Sequence, residues 1–201
     1  MGLTLVTPPV LEPVVLDDAK AHCRVLDNDS NQLLASYITA ARVLMEARRY
    51  PGIACPLITQ TWALTLDEFP PDGRTVIELP MSPVQSITSI QTTDVNGNVA
   101  TVPAANYFLD NTPDLPAKAR IVAVSPGSPL GAWPSTVLRP ANGVTITYVV
   151  GFGSTAAAIP KPLYVAQLLL VGDLFWNREA PSPGTVPLYD LLTSPYRAPG
   201  T

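Results

Sequence analysis

The chain has 201 residues with a net charge of −4, and 47% of its residues are hydrophobic while only 14% are charged. This composition is typical of a folded protein and excludes disorder of the whole chain. The acidic balance excludes a protein that coats DNA, because neutralising a phosphate backbone needs an excess of Lys and Arg. The length allows one ordinary domain or one domain that carries an insertion.

The single histidine, His22, and the two cysteines, Cys23 and Cys55, do not form a metal-binding pattern. No CxxC pair is present, which excludes the usual Cys/His zinc sites. The N-terminal sequence lacks the basic region and long apolar stretch of a signal peptide, which predicts an intracellular protein with reduced cysteines. The longest apolar segment, residues 163–176, is shorter than the roughly 20 residues that span a bilayer. It is predicted to be a buried helix and not a membrane segment.

Prolines separate short apolar elements, and the 23 of them are roughly twice the average usage. Residues 1–14 are predicted to form an extended arm, because each proline pushes the preceding residue toward an extended conformation. A short helix over 16–24 follows, with two aspartates at its start and an arginine at its end. The apolar spacing of residues 30–49 is the period of an amphipathic helix, which Pro51-Gly52 ends.

The pattern changes to alternation in residues 57–150. Trp62, Leu64 and Leu66 alternate with smaller residues, as in a half-buried strand. Further β-rich runs lie at 75–79, 86–92, 107–109, 120–124 and 144–150. Asn96-Gly97 is the strongest short-range signal for a hairpin. The segment is therefore predicted to be an antiparallel β module of about six or seven short strands.

After Gly151-Phe152-Gly153, a second long helix is predicted over 160–179, and one or two helical turns follow over 186–192. The expected fold is α+β: a small helical bundle of two long helices plus short terminal helices, with an inserted antiparallel β module. The predicted regions are 1–56 for the N-terminal arm and bundle helices, 57–155 for the β module, and 156–201 for the last bundle helix and a docking tail.

No residue pattern indicates catalysis. His22 and Cys23 are adjacent on the predicted short helix, where neighbouring side chains do not face each other, so they are not a nucleophile–base pair. Cys23 is expected to face the core and His22 the solvent. Gly151-Phe152-Gly153 lacks the third glycine of a phosphate-binding turn. We therefore predict no catalytic, cofactor-binding or metal-binding residues, and a protein that is not an enzyme.

The turn at residues 27–31 begins like a calcium-binding loop. It departs from that loop at Gln32, where glycine is required, and at Ile38, where glutamate is required. Asp29 or Ser30 is instead expected to cap the first long helix.

The basic and aromatic residues are predicted to have structural roles. Arg42, Arg48 and Arg49 are expected to pair with Glu46 and with neighbouring chains, and not with nucleic acid. The three tryptophans are expected to be core or interface anchors rather than platforms for stacking bases.

Several segments carry a resemblance, and they follow one another over nearly the whole chain. They are LTLVTPPVLEPVVLDDAKAHCRV, SNQLLASYITAARVLMEARRYPG, LITQTWALTLDEFP, IELPMSPVQSITSI, VTITYVVGFG, IPKPLYVAQLLLVGDLFWNREA and PLYDLLTSPYR. The most specific are LITQTWALTLDEFP and the strand ending in Gly-Phe-Gly with the helix that ends at residues 176–179. Together these segments resemble the head-to-tail connector (adaptor or head-completion) proteins of long-tailed bacteriophages and related gene-transfer particles.

The resemblance implies a structural virion protein, located at the head-to-tail interface after assembly in the host cytoplasm. It implies a ring, usually dodecameric, beneath the portal protein at the capsid vertex. In that family the C-terminal segment reaches the portal, the opposite face receives the next connector (stopper) or a tail protein, and DNA passes through without specific recognition. No membrane and no cofactor are implied. Carried over to this chain, the portal-binding candidates are Pro187, Leu188, Tyr189, Leu191, Leu192, Tyr196 and Arg197.

Two alternatives stay open at this point. Another virion ring component, such as a tail-completion protein, would show the same features. A hydrolase or carbohydrate-binding protein built on the β module would need a concave cluster of carboxylates or aromatic rings, whereas the carboxylates of this region fall mostly in predicted turns and strand ends.

The C-terminal segment and the apolar helix also lead to two expectations about assembly. A helix as short as 186–192 is marginal in isolation. Residues 185–201 are therefore expected to be mobile or differently placed in the free protein and ordered against the portal. The apolar helix at 163–176 has more surface than one small bundle hides, which predicts cyclic oligomers, at least when the portal is present.

Overall fold

The computed structural model describes residues 1–49, 51–71, 75–111, 119–125, 127, 131–178 and 187–197. They group into two units, and we call them the β unit and the helical unit. The β unit combines Met1–Pro8 with the described residues of 60–150, and the helical unit combines Pro9–Thr59 with the described residues from Gly151 onward. The β module is thus inserted between bundle helices as predicted, while residues 1–8 belong to the β unit and not to the bundle.

The described residues form four α-helices and eight strands, which confirms the predicted α+β fold. The helices are α1 (Leu16–Cys23), α2 (Asn31–Glu46), α3 (Lys161–Trp176) and α4 (Pro187–Thr193). The strands are β1 (Gly2–Thr7), β2 (Gln60–Leu66), β3 (Val76–Glu78), β4 (Val84–Thr93), β5 (Val99–Thr101), β6 (Tyr107–Asp110), β7 (Arg120–Ala123) and β8 (Val144–Val150).

The ends of the first two helices follow local backbone chemistry. Arg24 follows α1 in the left-handed conformation, at φ 56°, and its N–H is bonded to the carbonyls of Lys20 and Ala21. Ser30 occupies the N-cap position of α2, as one of the two predicted candidates. The Ser30 side chain makes no capping hydrogen bond. Its backbone carbonyl accepts the hydrogen bond of 2.9 Å from Leu34 N that begins the helix.

The helical unit has two clusters of buried side chains. The first joins α1, α2 and the second half of α3, and includes Cys23, Leu34 and Phe175. The second lies where α2 ends and α3 begins, and we call it the lower cluster; it comprises Met45, Ile53, Cys55, Leu57, Ile58, Ile159, Leu163, Ala166 and Tyr189. Because α3 contributes to both, its apolar surface is largely covered within the chain, as expected of a buried helix. The surplus apolar surface from which the sequence analysis predicts oligomers is therefore not found on α3. Trp176 at its end is exposed.

In the β unit, five strands form one sheet in the order β1-β2-β8-β4-β5, and three form another in the order β3-β7-β6. Every pairing is antiparallel. In β8 the buried residues alternate with half-buried ones, starting with Val144 and ending with Val150. β8 lies between β2 and β4 at the centre of the sheet. Its alternate side chains point to one face and contribute to the core.

Two details of the large sheet bear on the sequence predictions. Residues 2–7 of the predicted extended arm are a strand, since Leu3 and Leu5 come opposite Leu64 and Trp62 of β2. The predicted hairpin at Asn96-Gly97 is confirmed between β4 and β5. There the Asp94 carboxylate accepts from the N–H of Asn96 and of Asn98, and Gly97 adopts the φ of 86° that the turn requires.

In the part of the chain that the structure describes, no helix has both the length and the apolar character of a membrane span.

Candidate functional site

The C-terminal segment, residues 187–197, consists of helix α4 and a 3-10 turn over Ser194–Tyr196, and it has two different faces. Tyr189 and Thr193 are buried, whereas Leu188 and Leu191 on the other side expose 46% and 70% of their surface. Residues four apart on a helix share a face, and so do residues three apart. The segment therefore has an inner face around Tyr189 and an outer face that carries two leucines.

Tyr189 anchors the inner face to the rest of the helical unit by packing and by a hydrogen bond. Its ring is fully buried in the lower cluster. Its hydroxyl donates a hydrogen bond of 2.8 Å to the carbonyl of Pro51, which lies in the segment after α2. Burying a tyrosine is favourable when its hydroxyl finds such a partner.

Leu192 and Tyr196 extend the same inner face, and both pack against the lower cluster. The ring of Tyr196 meets Phe152 edge to face, with centroids 6.3 Å apart. Thr193 Oγ1 donates to the carbonyl of Tyr189 at 2.8 Å, inside the helix. The aromatic edge contact and the apolar burial together hold the segment in place.

Arg197 is the last described residue of the C-terminal segment. Its guanidinium is 2.6 Å from a carboxylate oxygen of Asp190 and lies over the Tyr189 ring, 6.0 Å from the centroid. Arg197 is therefore engaged within its own segment in this structure.

The structure thus divides the seven predicted portal-binding residues. Tyr189, Leu192 and Tyr196 lie on the inner face, and Arg197 is ion-paired. Pro187, Leu188 and Leu191 are exposed. Residues 187–197 are docked on the helical unit here, although the sequence predicts a mobile or differently placed segment in the free protein. Residues 185, 186 and 198–201 of that prediction lie outside the described residues.

Replacing Tyr189 by Phe tests how firmly this segment is held. The variant keeps the buried ring and removes the hydrogen bond to Pro51 O, so we expect the free energy of unfolding to fall by about 1 kcal/mol. Urea denaturation measures the change, with Tyr107→Phe in the β unit as the matched control. An unchanged stability would show that the hydroxyl does not help to hold α4.

The helical unit also contains a network of hydrogen bonds and ion pairs centred on Arg42. Arg42 and Glu46 are both buried. Arg42 Nε donates to Glu12 at 2.8 Å, and its Nη1 donates to Glu46 at 3.0 Å. The second Glu46 oxygen accepts from Leu57 N at 2.8 Å. Thr39 Oγ1 donates to Glu12 at 2.9 Å. This network ties residue 12, helix α2 and the segment around residue 57 together.

The electrostatics of this network favour the charged arginine. Burial by itself would lower the pKa of Arg42, but the hydrogen bonds and negative charges of Glu12 and Glu46 outweigh burial and raise that pKa above its ordinary value. The Arg42–Glu46 pair was predicted from the sequence, and Glu12 was missed. Nothing in the local sequence marks Glu12, since it lies in the Pro-rich arm far from α2 in the chain.

His22, Cys23 and Cys55 lie in surroundings that do not activate them for catalysis. Cys23 is buried and His22 exposed, as predicted. Burial raises the pKa of the Cys23 thiol. Burial, with a further contribution from the Glu46 charge, raises the pKa of the Cys55 thiol. A thiol that stays protonated is a poor nucleophile. The described residues contain no group of three His, Cys, Asp or Glu side chains placed to hold a metal ion.

The Gly151-Phe152-Gly153 turn has a packing role. Gly151 adopts a φ of 119°, and a Cβ there would lie 2.6 Å from the carbonyl oxygen of Ile58. Only glycine fits that backbone approach. Phe152 packs on the lower cluster and meets Tyr196, so the turn supports the C-terminal segment.

The β unit has an open cavity of about 590 Å³ lined by Asp67, Glu68, Phe69 and residues 134–140. Asp67 accepts a hydrogen bond from Asn142 N at 2.9 Å. The ring of Phe69 stacks on Trp133 with centroids 4.9 Å apart, so these rings pack against each other. The two carboxylates are adjacent in sequence at the end of β2, which is the solvated strand end that the sequence predicts.

The solved structures that are similar to this chain include three chains from gene transfer agent (GTA) particles. One is in the neck of an empty GTA particle computed with C6 symmetry, with a TM-score of 0.81 and 24% identity. Another is in the virion of a native GTA particle, with a TM-score of 0.78 and 26% identity. The third is in the neck of a native GTA particle computed with C12 symmetry, with a TM-score of 0.74 and 24% identity. Each match covers 98% of this chain and 96% of the other chain.

The chain shares its whole fold with these particle proteins. No family model and no curated protein matches it. Because the coverage is nearly complete on both sides, the helical unit, the inserted β unit and the C-terminal segment all have counterparts in the matched chains.

Proposed function

We propose that this chain is a structural protein of the virion neck: the head-to-tail adaptor, which forms a ring under the portal, connects the DNA-filled capsid to the tail and lines the DNA passage. The observation that carries the proposal is the match, over nearly the whole length of both chains, to a protein in the virion of a native GTA particle. The sequence resemblance to head-to-tail connectors supports the same role independently.

A dodecameric ring is the assembly that we propose. The matched neck structures were computed with C6 and C12 symmetry, which supports a cyclic arrangement of copies. The net charge of −4 suits a passage through which DNA moves without being gripped. The further partners are the portal protein on one side and the next connector or a tail protein on the other.

The C-terminal segment is proposed to bind the portal through its outer face. Leu188 and Leu191 are exposed and one helical turn apart, and Pro187 lies beside them. Apolar side chains of this kind anchor interfaces once a partner covers them. Tyr189, Leu192 and Tyr196 then serve the contact indirectly, because they hold the helix that presents the leucines.

Electron microscopy of the intact particle tests this function. We expect a symmetric ring of this chain between the portal and the tail, with the C-terminal segment against the portal. A ring of this chain attached to the tail, with another protein between it and the portal, would instead identify a tail-completion protein. A particle with no ring of this chain at the capsid vertex would overturn the proposal.

We further propose that the chain has no catalytic role. Replacing His22 by Ala is expected to leave particle assembly and protein stability unchanged, because the side chain is exposed. Replacing the buried Cys23 by Ala is expected to lower the free energy of unfolding by about 1 kcal/mol and to leave assembly intact. The yield of tailed particles and urea denaturation measure the two effects. A variant that folds normally but gives no tailed particles would show that the residue has a functional role.

A further inference from the structure

Among the described residues, the five-stranded sheet ends in two strands, β1 and β5, that each have a strand neighbour on one side only. Residues 4–7 of β1 are exposed, and so is the whole of β5. An edge strand presents alternate N–H and C=O groups along its open side, to which another strand can bind. Both ends of this sheet therefore offer a backbone binding surface.

The composition of these two strands distinguishes them from the outer strands of the smaller sheet. Neither GLTLVT in β1 nor VAT in β5 contains a charged residue or a proline. In the smaller sheet, β3 contains Glu78 and β6 contains Asp110. Charges and prolines on an edge strand oppose pairing with another chain. The five-stranded sheet is thus the one whose edges are open to pairing.

The direction of the strands determines which partner fits. Each step from β1 to β5 is antiparallel, and there are four such steps, so β1 and β5 run in the same direction. A ring needs two different surfaces on each copy, one for each neighbour. The two edges meet that need, whereas pairing of β1 with a second β1 would close a two-fold dimer and stop.

We propose that neighbouring copies of this chain join through these edges, with β5 of one copy parallel to β1 of the next, so that a continuous β layer runs around the ring. The inference rests on the ring of the proposed function. Backbone hydrogen bonds would hold the pair, as in the addition of a strand to a sheet edge. Exposed Leu5, Val6 and Val99 would be covered by the pairing.

The pairing is expected in the assembled particle and not in dilute protein. β5 has only three residues, so one contact supplies few hydrogen bonds. Alignment of the copies by the neighbouring particle components raises their effective concentration and allows so short a pair to form.

Cysteine cross-linking in purified particles tests this arrangement. One new cysteine is placed in β1, by Thr4→Cys or Leu5→Cys, and one in β5, by Val99→Cys or Ala100→Cys. The four combinations cover both faces of the strands, and adjacent strands bring Cα atoms within disulfide range. The native cysteines are buried and do not compete.

After oxidation, at least one double variant is expected to give a ladder of covalent oligomers up to the size of the ring, and reduction should collapse it. The single variants should stay monomeric. Dimers from a β1 single variant would overturn the proposal in favour of two-fold pairing. Absence of any ladder, in particles whose reconstruction shows the ring, would overturn the pairing and leave the proposed function standing. Absence of the ring itself would overturn both.

A charge placed on the edge gives a second measurement. Val99→Lys should reduce the yield of tailed particles several-fold, because the lysine opposes pairing. Val137→Lys is the matched control, since the two valines expose 60% and 72% of their surface and Val137 lies outside the strands. Equal yields from the two variants would contradict edge pairing.

Discussion

Replacing Leu188 and Leu191 together by Ser is expected to give DNA-filled heads that do not hold tails. The two side chains are the exposed large hydrophobic groups of α4. Their loss should change the free energy of unfolding by less than about 0.5 kcal/mol, as for most surface substitutions. As anchors of an interface, each should cost more than about 1 kcal/mol of binding free energy when it is replaced. Every copy in the proposed ring lacks both leucine side chains, so the loss of binding free energy to the portal occurs at every copy.

Counting tailed and tailless heads by electron microscopy measures the loss of tails. The affinity of the variant for purified portal protein measures the loss of portal binding that is expected to cause it. The matched control is the double variant Leu26→Ser with Val137→Ser, two exposed apolar residues elsewhere on the chain. If the α4 variant folds and joins heads to tails at normal yield, portal docking does not use the outer face of α4. The N-terminal arm would then be the next candidate.

Deleting the chain from Pro187 onward is expected to give the same tailless heads, but the structure adds a second consequence. Tyr189, Leu192 and Tyr196 cover the lower cluster. Their removal exposes apolar surface, so the truncated protein should also lose stability. The two leucine substitutions separate docking from folding, and the truncation does not.

Replacing Arg42 by Ala is expected to lower the free energy of unfolding by about 3–5 kcal/mol, the range for breaking a buried ion pair from one side. The variant leaves the buried Glu46 carboxylate without its 3.0 Å partner and releases Glu12. Urea denaturation followed by circular dichroism measures the loss. Arg49→Ala is the control on the same stretch of chain, because Arg49 is exposed.

A double variant identifies the cause of that loss. Arg42→Met with Glu46→Gln removes both charges and keeps an oxygen that can accept from Leu57 N. We expect it to be more stable than Arg42→Ala, because an uncompensated buried charge is the larger cost. A loss below about 1 kcal/mol for Arg42→Ala would show that the network is not a major support of the helical unit.

Local sequence patterns were enough to predict most elements. The apolar period of residues 30–49 and the Asn96-Gly97 turn led to α2 and to the β4–β5 hairpin. Helical period, strand alternation and turn chemistry act between residues close in the chain, so they can be read without the fold. The α+β class and the insertion of the β module followed from the order of these elements.

Contacts between distant residues were decided only by the tertiary structure. The arm residue Glu12 meets Arg42, and Tyr189 of the C-terminal segment reaches Pro51. The sequence identified the apolar residues of that segment but not which of them face its own bundle, because the inner face is defined by the lower cluster that receives it. In the same way, residues 2–7 are an edge strand because β2 lies beside them. Extended, proline-bounded sequence determines an extended backbone, and only a partner strand makes it part of a sheet.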